Sequence, residues 1–513
     1  MRVEDFDIEL APLPGAVPVW RGEVDAAAWR RLCRQASGKG GRLVALWGSD
    51  NRELGRGFGV HAALVIRSGL VWLTLAVDGA PYPSIADIFP AASRMQRAVG
   101  DLLGIHSDER SDVRPWLRHA AWPADRYPLR KDFDGGKAHP ATAQDYPFVT
   151  VEGDGVHEIA VGPVHAGTIE PGHFRFSVVG ERILRLEERL GYTHKGIEKR
   201  FESMTLEEGA QLAGRISGDS TVAYAWAYAM AVESAAGMSP PDRALWLRAL
   251  LLERERIANH LGDLGSLGSD AGLAFGLAQF SRLKEDWLRT NVDLFGHRYL
   301  MDKVIPGGVV KDLDARRIAG LMAEIDALDK AVTCLRDIYD EHAGLQDRFI
   351  GAGRVTPELA VHLGLCGLAG RASAQAWDLR AQFPVSPYDS LDVRMATHRN
   401  GDVAARVAVR FDEVSEALRL CRQILNGMPS GSIFTALPKA TEAAVGVGWV
   451  EGWRGEVLVA LETGTDQHIR RLHAHDPSWQ NWPLLEHAVL DNIVPDFPLI
   501  NKSFNLSYSG HDL

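Results

Sequence analysis

The first third of the chain alternates short apolar runs with turn residues, a pattern that predicts a small β-sheet. The runs fall at residues 42–47, 58–66 and 70–76, and a Gly-Ser-Asp-Asn turn follows the first of them. Residues 85–103 then place apolar side chains three and four positions apart, which predicts a helix packed on the sheet. This part of the sequence therefore indicates an α+β domain.

The rest of the chain is patterned mainly as helices. Short apolar runs predict strands on both sides of the helical region, at 149–151, 158–161, 173–179, 445–453 and 456–461. Residues 206–428 are mostly helical in pattern, with long amphipathic stretches at 245–264, 313–343 and 409–425. Long helices in succession favour a bundle.

Together these patterns predict an α+β protein with two domains. An N-terminal α+β domain with a small sheet is expected at residues 1–132. A large, mostly α-helical bundle domain with peripheral β-hairpins is expected at 159–513. Residues 133–158 contain Gly135-Gly136 and Pro140 and have the composition of a linker. A length of 513 residues agrees with more than one domain, because single cores stop growing well below that size.

Charge and cysteine usage exclude several classes of function. The formal net charge is -11, and an acidic chain is poorly suited to bind nucleic acid, which attracts clustered Lys and Arg. The four cysteines, Cys33, Cys334, Cys366 and Cys421, have no metal-type spacing. This argues against a zinc or iron–sulfur site made by this chain alone. The absence of a disulfide pattern agrees with a reducing compartment.

Neither a signal peptide nor a membrane-spanning segment is expected. Residues 1–10 lack a basic region followed by an apolar run. The longest apolar stretch, 222–232, is about half of the roughly 20 residues that a spanning helix needs. We therefore expect a chain that reaches a membrane only through a partner.

Nine short segments resemble one family in the same order along the chain. Those that resemble the small hydrophilic subunit of complex I are residues 82–89 with Arg94, and residues 127–132. Those that resemble the large subunit of complex I and group 4 [NiFe] hydrogenases are 162–176, 191–199, 253–260, 295–298, 306–309, 370–373 and 450–456. The fused order is that of formate hydrogenlyase-type enzymes and of hydrogenase-4 component G.

The resemblance implies the large subunit of a membrane-associated redox complex. Such a subunit passes electrons from iron–sulfur clusters of a partner small subunit to a ligand in a cavity, with quinone as the candidate, and couples this to ion translocation. Integral membrane subunits are the other expected partners, NAD binding belongs to the whole complex, and the location is peripheral on the cytoplasmic side of the inner membrane. The alternative is a non-catalytic scaffold or coupling subunit with an empty cavity.

One departure from the family decides the expected chemistry. A [NiFe] centre is held by two pairs of cysteine thiolates, soft ligands that hydroxyl oxygens do not replace well. The resemblance places those positions at Ser217, Ser220, Ser507 and Gly510. The chain also ends at Leu513, where nickel-bearing relatives carry a further tail. We therefore expect no [NiFe] centre and no hydrogenase activity.

The candidate catalytic residues are His173, His194, Glu198 and Asp219, and the candidate cofactor-binding residues are His173, Ser217, Ser220, Ser507 and His511. The resemblance matches His173 to the histidine beside the quinone head group in complex I, although the tyrosine that partners it there falls at Gly218. A histidine can donate a proton near neutral pH. All these side chains are expected to converge on one cavity.

Other interpretations of the same residues remain open. Ser217, Asp219 and Ser220 are also the residue types that cap the start of a helix. A rebuilt metal site from Asp219, His173, His194 and His511 is a further alternative. The charged residues expected inside the helices form fixed ion pairs, or the start of a relay towards the membrane; they are Glu202, Glu253, Arg254, Glu255, Arg256, Arg371, Asp378, Arg380 and Asp402.

Overall fold

The structure is a computed structural model that describes residues 1–108, 111–137, 139, 145–166, 169–202, 204–438 and 442–513. Its strands are β1 (Ala11–Leu13), β2 (Val19–Val24), β3 (Arg42–Asp50), β4 (Phe58–Ile66), β5 (Gly69–Val77), β6 (Val156–Val161), β7 (His173–Val179), β8 (Arg182–Arg189), β9 (Val304–Ile305), β10 (Gly308–Val309), β11 (Val445–Glu451), β12 (Glu456–Thr463) and β13 (Ile469–His475).

The α-helices are α1 (Ala26–Gly38), α2 (Ala92–Leu103), α3 (Ile197–Phe201), α4 (Leu206–Ala213), α5 (Thr221–Ala236), α6 (Asp242–Asp270), α7 (Ala274–Phe295), α8 (Ala315–Glu341), α9 (Ala343–Phe349), α10 (Pro357–Leu363), α11 (Gly367–Ala372), α12 (Leu379–Gln382), α13 (Val403–Gly427), α14 (Ser478–Ala488), α15 (Phe497–Phe504) and α16 (Tyr508–Asp512). Helices and small separate sheets confirm the α+β class.

The N-terminal part is a five-stranded sheet in the order β1-β2-β5-β4-β3. The β2 and β5 strands are parallel, and the other neighbours are antiparallel. Every residue of β4 is buried, because α1 and the rest of the chain cover both faces of the sheet. β3, β4 and β5 therefore form an internal layer, whereas β1 is largely exposed and β2 only partly buried.

The C-terminal part combines long helices with two antiparallel three-stranded sheets, β6-β7-β8 and β11-β12-β13. Helix α5 is buried along nearly its whole length and packs on β11 and β12. Its apolar stretch is therefore core rather than membrane-facing. None of the helices in the described part of the chain is long and apolar enough to cross a bilayer.

Polar contacts tie the N-terminal sheet to the C-terminal part. Arg94 on α2 donates to Glu188 at 3.0 Å and to Glu486 at 2.7 Å. The Arg471 guanidinium donates to the Gly48 carbonyl of β3 at 2.8 Å. These buried, paired charges hold the two parts in a fixed arrangement.

The predicted elements mostly agree with the structure, and the differences have physical causes. The strands at 58–66 and 173–179 match β4 and β7. The strand predicted at 149–151 is wrong: that segment is irregular, and the Val149 amide donates to the Glu187 side chain instead of a neighbouring strand. The helix predicted from residue 85 begins only at Ala92, after Pro90.

The domain limits 1–132 and 159–513 stay a prediction. The linker prediction, 133–158, falls partly on residues outside the described ranges, and β6 begins within it at Val156.

Candidate functional site

The first and last cysteine-equivalent segments meet at Ser217 and Ser507. Their hydroxyl oxygens are 2.9 Å apart, and both side chains are buried. The Ser507 hydroxyl also accepts from the Gly510 amide at 2.9 Å at the start of α16. We call Ser217, Ser220, Ser507 and Gly510 the serine cluster. The structure thus brings the two segments into contact, while the prediction that the site residues share one cavity stays a prediction.

An ion pair that the sequence did not indicate closes the serine cluster. Arg454, in the turn between β11 and β12, binds both carboxylate oxygens of Asp219, one of them at 2.8 Å. Its guanidinium also donates to the Ser220 hydroxyl at 3.3 Å and to the Asn505 carbonyl at 2.5 Å. Burial opposes ionisation of Asp219, but Arg454 outweighs it and lowers the Asp219 pKa to about 2. Asp219 is therefore a fixed anion and a poor general acid.

A buried carboxylate lies against the fourth position of the cluster. A Cβ atom added at Gly510 would be 2.3 Å from Asp476 Oδ2. That same oxygen accepts from the Tyr224 hydroxyl at 2.7 Å, and the other accepts from the Ser478 amide at 2.8 Å. Asp476 is therefore held in place, and only glycine fits at position 510.

The helix-capping interpretation of the three polar residues is wrong. Ser220 precedes α5, but its side chain makes no cap hydrogen bond, and neither does that of Ser217. The free amides of Val222 and Ala223 instead donate to Glu255 of α6, at 2.6 and 3.2 Å. Burial raises the Glu255 pKa to about 8. A neighbouring helix supplies the cap, which local sequence cannot indicate.

The alternative metal site is not assembled. Within the described ranges, no group of three or more His, Cys, Asp or Glu side chains is placed to hold a metal ion. Asp219 is occupied by Arg454, and the three histidines named with it lie in different surroundings.

His173 lies at the start of β7, apart from the serine cluster. Its Nδ1 donates to the Gly162 carbonyl at 3.3 Å, and its ring packs against Phe148 at 5.1 Å between centroids. Burial lowers the His173 pKa, so the ring is neutral near pH 7 with its lone pair on Nε2. That Nε2 atom is buried, and no described residue is within hydrogen-bond distance of it. Buried polar atoms are normally satisfied, so an unpaired one marks a position for a ligand or water.

His511 is directed away from the serine cluster. Its Nε2 accepts from the Trp116 indole at 3.3 Å, and its Nδ1 donates to Asp512 at 2.7 Å. The ring stacks on Trp479 with 4.1 Å between centroids. Both nitrogens are therefore used, and His511 is a fixed contact to the N-terminal part of the chain.

His194 and Glu198 lie together in a further place. The His194 Nδ1 donates to the Asp512 carbonyl at 2.7 Å. Glu198 accepts from His473 Nδ1 at 2.6 Å and pairs with Arg471 at 3.3 Å. Burial opposes ionisation of Glu198, but Arg471 and His473 lower its pKa to about 2. Both predicted residues line one cavity of about 40 Å³ together with His473, which we call the His473 cavity.

The charges predicted inside the helices form a connected network. Arg371 binds Glu413 at 2.7 Å and Glu451 at 2.8 Å, and Arg380 binds Glu253 at 3.0 Å. The ion-pair interpretation is confirmed for these residues. In this network four buried carboxylates share three guanidinium groups, and its members are Glu253, Arg256, Arg371, Asp378, Arg380, Glu413 and Glu451. Burial raises the pKa of the Glu451 carboxyl group.

Two of the predicted charges have a different role. Asp402 accepts from the Ala405 amide at 2.8 Å and so caps α13, while Glu255 caps α5. Neither forms an ion pair with a described residue; backbone amides are their hydrogen-bond partners.

Known proteins that are similar to this chain were found by sequence and by structure. The chain matches the family described as "Respiratory-chain NADH dehydrogenase, 30 Kd subunit" over residues 23–139 and "49 Kd subunit" over 270–446. Formate hydrogenlyase subunit 5 of Escherichia coli is 33% identical over 92% of this chain and 85% of its own length. Hydrogenase-4 component G of the same organism is 31% identical over 92% and 84%.

Two further matches extend this relationship. The C/D subunit of NADH-quinone oxidoreductase from Bacteroides thetaiotaomicron is 30% identical over 83% of this chain and 86% of its own. A chain of the membrane-bound sulfane sulfur reductase, an archaeal respiratory membrane complex, superposes with a TM-score of 0.66 at 25% identity, over 70% of this chain and 98% of that one. The chain therefore belongs to the family of fused 30 kDa and 49 kDa complex I-type subunits that includes formate hydrogenlyase subunit 5, hydrogenase-4 component G and the C/D subunit of NADH-quinone oxidoreductase.

Proposed function

We propose that this chain is the large subunit of a membrane-associated redox complex that has no [NiFe] centre and reduces an organic acceptor, with quinone as the candidate. The observation that carries the proposal is the serine cluster closed by Arg454 and Asp219. Hydroxyl groups and a glycine stand at the four thiolate positions, and an internal ion pair lies among them. A nickel–iron group does not fit this donor set.

Restoring the thiolates would not be enough to rebuild a metal site. A cysteine at position 510 would place its Cβ 2.3 Å from Asp476 Oδ2, and that oxygen is fixed by Tyr224. The surroundings, and not only the ligands, differ from what a four-thiolate centre requires. The purified complex is expected to contain no stoichiometric nickel and to neither take up nor evolve hydrogen; about one nickel per chain would refute this.

His173 is the residue we propose to meet the acceptor. Its unpaired Nε2 carries a lone pair when the ring is neutral, so it accepts a hydrogen bond from the O–H of a reduced, hydroquinone-like molecule. To hydrogen-bond an oxidised carbonyl oxygen, the ring must first gain a proton. Protonated His173 would then donate this proton to the oxygen as the acceptor is reduced, and the neutral ring would accept a hydrogen bond from the O–H that forms.

The relatives support the proposed partners and location. One relative is named as a subunit of NADH-quinone oxidoreductase, and another belongs to a respiratory membrane complex. By extension, electrons would come from an iron–sulfur small subunit, integral membrane subunits would couple the reaction to ion movement, and NAD would be used by the whole complex. The chain would then lie on the cytoplasmic side of the inner membrane.

The test is a His173→Ala substitution in the intact complex, assayed for quinone reduction and for ion translocation. Loss of turnover with assembly unchanged is expected. The matched control is His157→Ala, an exposed histidine on β6 of the same three-stranded sheet. In the same assay a sulfane sulfur compound is tested as a second electron acceptor, because a structural relative is a sulfane sulfur reductase.

A non-catalytic scaffold is the second candidate. The observation that favours it is that Ser217, Asp219 and Ser507 satisfy one another internally. Full quinone reduction by the His173→Ala complex, with the variant assembled as in the wild type, would favour the scaffold over the redox subunit.

A further inference from the structure

The His473 cavity has no role in the proposed redox reaction. Its volume is about 40 Å³, and a single water needs only about 10–15 Å³. It therefore has room for about three waters or for one molecule of similar size. It is lined by β3 and α2 on one side and by β13, α14 and the chain end on the other.

Two residues that line this cavity each have a buried polar atom without a partner among the described residues: the acceptor Nε2 of His473 and the donor Nε1 of Trp479. His473 is 6% exposed, and its Nδ1 donates to the Glu198 carboxylate at 2.6 Å. Burial lowers the His473 pKa, so the ring is neutral and its lone pair lies on Nε2. No described residue donates to that buried Nε2. The cavity thus offers a hydrogen-bond acceptor.

The charged groups at the cavity are already engaged. Arg471 donates to the Gly48 carbonyl at 2.8 Å and to Glu198 at 3.3 Å. The Lys199 ammonium donates to the Arg130 carbonyl at 2.9 Å. With these cations used internally, the cavity has little to attract an anion, and its apolar walls would make any unpaired ion costly to bury.

The remaining walls are mostly apolar. Leu46, Met95, Val99 and Leu102 are among the buried side chains that line the cavity. Three lining residues are partly exposed: His194, Gly196 and Lys199. A small molecule with an apolar body and one donor group fits these walls.

We propose that the His473 cavity binds a small neutral alcohol of about three non-hydrogen atoms, whose hydroxyl donates to His473 Nε2. An aldehyde could accept from the Trp479 indole but could not donate to His473, and a carboxylate would also bring an unpaired charge against apolar walls, whereas a hydroxyl group can both donate and accept. Because both parts of the chain contribute walls, occupancy also strengthens their contact.

The experiment uses ethanol as the probe and the assembled complex as the sample. Saturation-transfer NMR reports transfer to the ethanol methyl group, and a density map that resolves waters, recorded in molar ethanol, shows the occupant directly. His473→Phe removes the acceptor but keeps a ring of similar size. Its ethanol affinity should fall about fivefold, the loss of one neutral hydrogen bond.

Two further variants distinguish a specific loss of ethanol binding from a general effect of substitution on folding. Ala98→Val fills part of the cavity from α2 without touching His473, and it should also weaken ethanol binding. His157→Phe, at an exposed histidine, should leave binding unchanged. The proposal is supported if ethanol density lies against His473 and if ethanol binds more weakly to His473→Phe and Ala98→Val than to the wild type and to His157→Phe. Water alone in the cavity at molar ethanol, or equal ethanol binding by all the proteins, overturns it.

Discussion

Removing Arg454 should destabilise the chain more than neutralising its partner Asp219. An Arg454→Met substitution deletes donors to Asp219, Ser220 and Asn505. It also leaves the Asp219 carboxylate without its counter-ion, and breaking a buried pair in this way costs about 3–5 kcal/mol. The Asp219 side chain that is left behind is 38% exposed, so water replaces part of its lost counter-ion and the expected cost is about 2–3 kcal/mol, including that of the lost hydrogen bonds.

Asp219→Asn is expected to cost less, about 1–2 kcal/mol. The amide oxygen still accepts from Arg454, and the nearby Asp476 and Asp263 carboxylates continue to stabilise the guanidinium. The double variant should be no less stable than Arg454→Met alone, because it contains no unpaired carboxylate at position 219. The expected coupling between the two sites is then about 1–2 kcal/mol.

Pulse proteolysis across a urea series measures these free energies of unfolding without requiring a fully purified chain. The matched control is Arg215 with Asp302, a bidentate pair at 2.7 and 2.8 Å whose side chains are 43% and 39% exposed. Arg215→Met and Asp302→Asn should each cost less than about 1 kcal/mol. Additive effects in the Arg454 cycle, or equal costs in the two pairs, would refute the argument from burial.

Three other substitutions test the surroundings of the site. Gly510→Ala should cost roughly 1–3 kcal/mol because of the contact with Asp476, whereas Gly218→Ala, with no atom within 4 Å, should be nearly neutral in the same unfolding assay. Glu255→Gln leaves one amide of α5 without an acceptor and should cost roughly 1–3 kcal/mol; an unchanged urea midpoint would contradict the capping role. The Glu198 pKa of about 2 is below its usual 4.5, so the wild type should exceed Glu198→Gln by roughly 3 kcal/mol above pH 4.5 and lose that advantage as the pH falls towards 2; a pH-independent difference would be inconsistent with it.

Local pattern was sufficient for the strands and helices with clear periodicity. The runs at 58–66 and 173–179 coincide with β4 and β7. A short run of alternating or continuous apolar residues is buried most readily as a strand of a sheet. Local pattern failed at β8, where Arg182–Arg189 carries five charged residues, three of which form ion pairs with other parts of the chain. A strand whose charges are neutralised from afar has no local apolar signal.

The sequence by itself determined the class of the chain, the order of its family segments and the absence of cysteines at four positions. These are properties of residue identity and spacing along one dimension. Only the tertiary structure decided that an ion pair lies beside Ser217 and Ser220, since Arg454 and Asp219 are 235 residues apart. It also gave His173, His194 and His511 different hydrogen-bond partners, because the direction of a side chain depends on contacts from other elements. Hydrogen bonds and ion pairs act through space, so the chemistry of this site could be assigned only after folding had brought distant segments together.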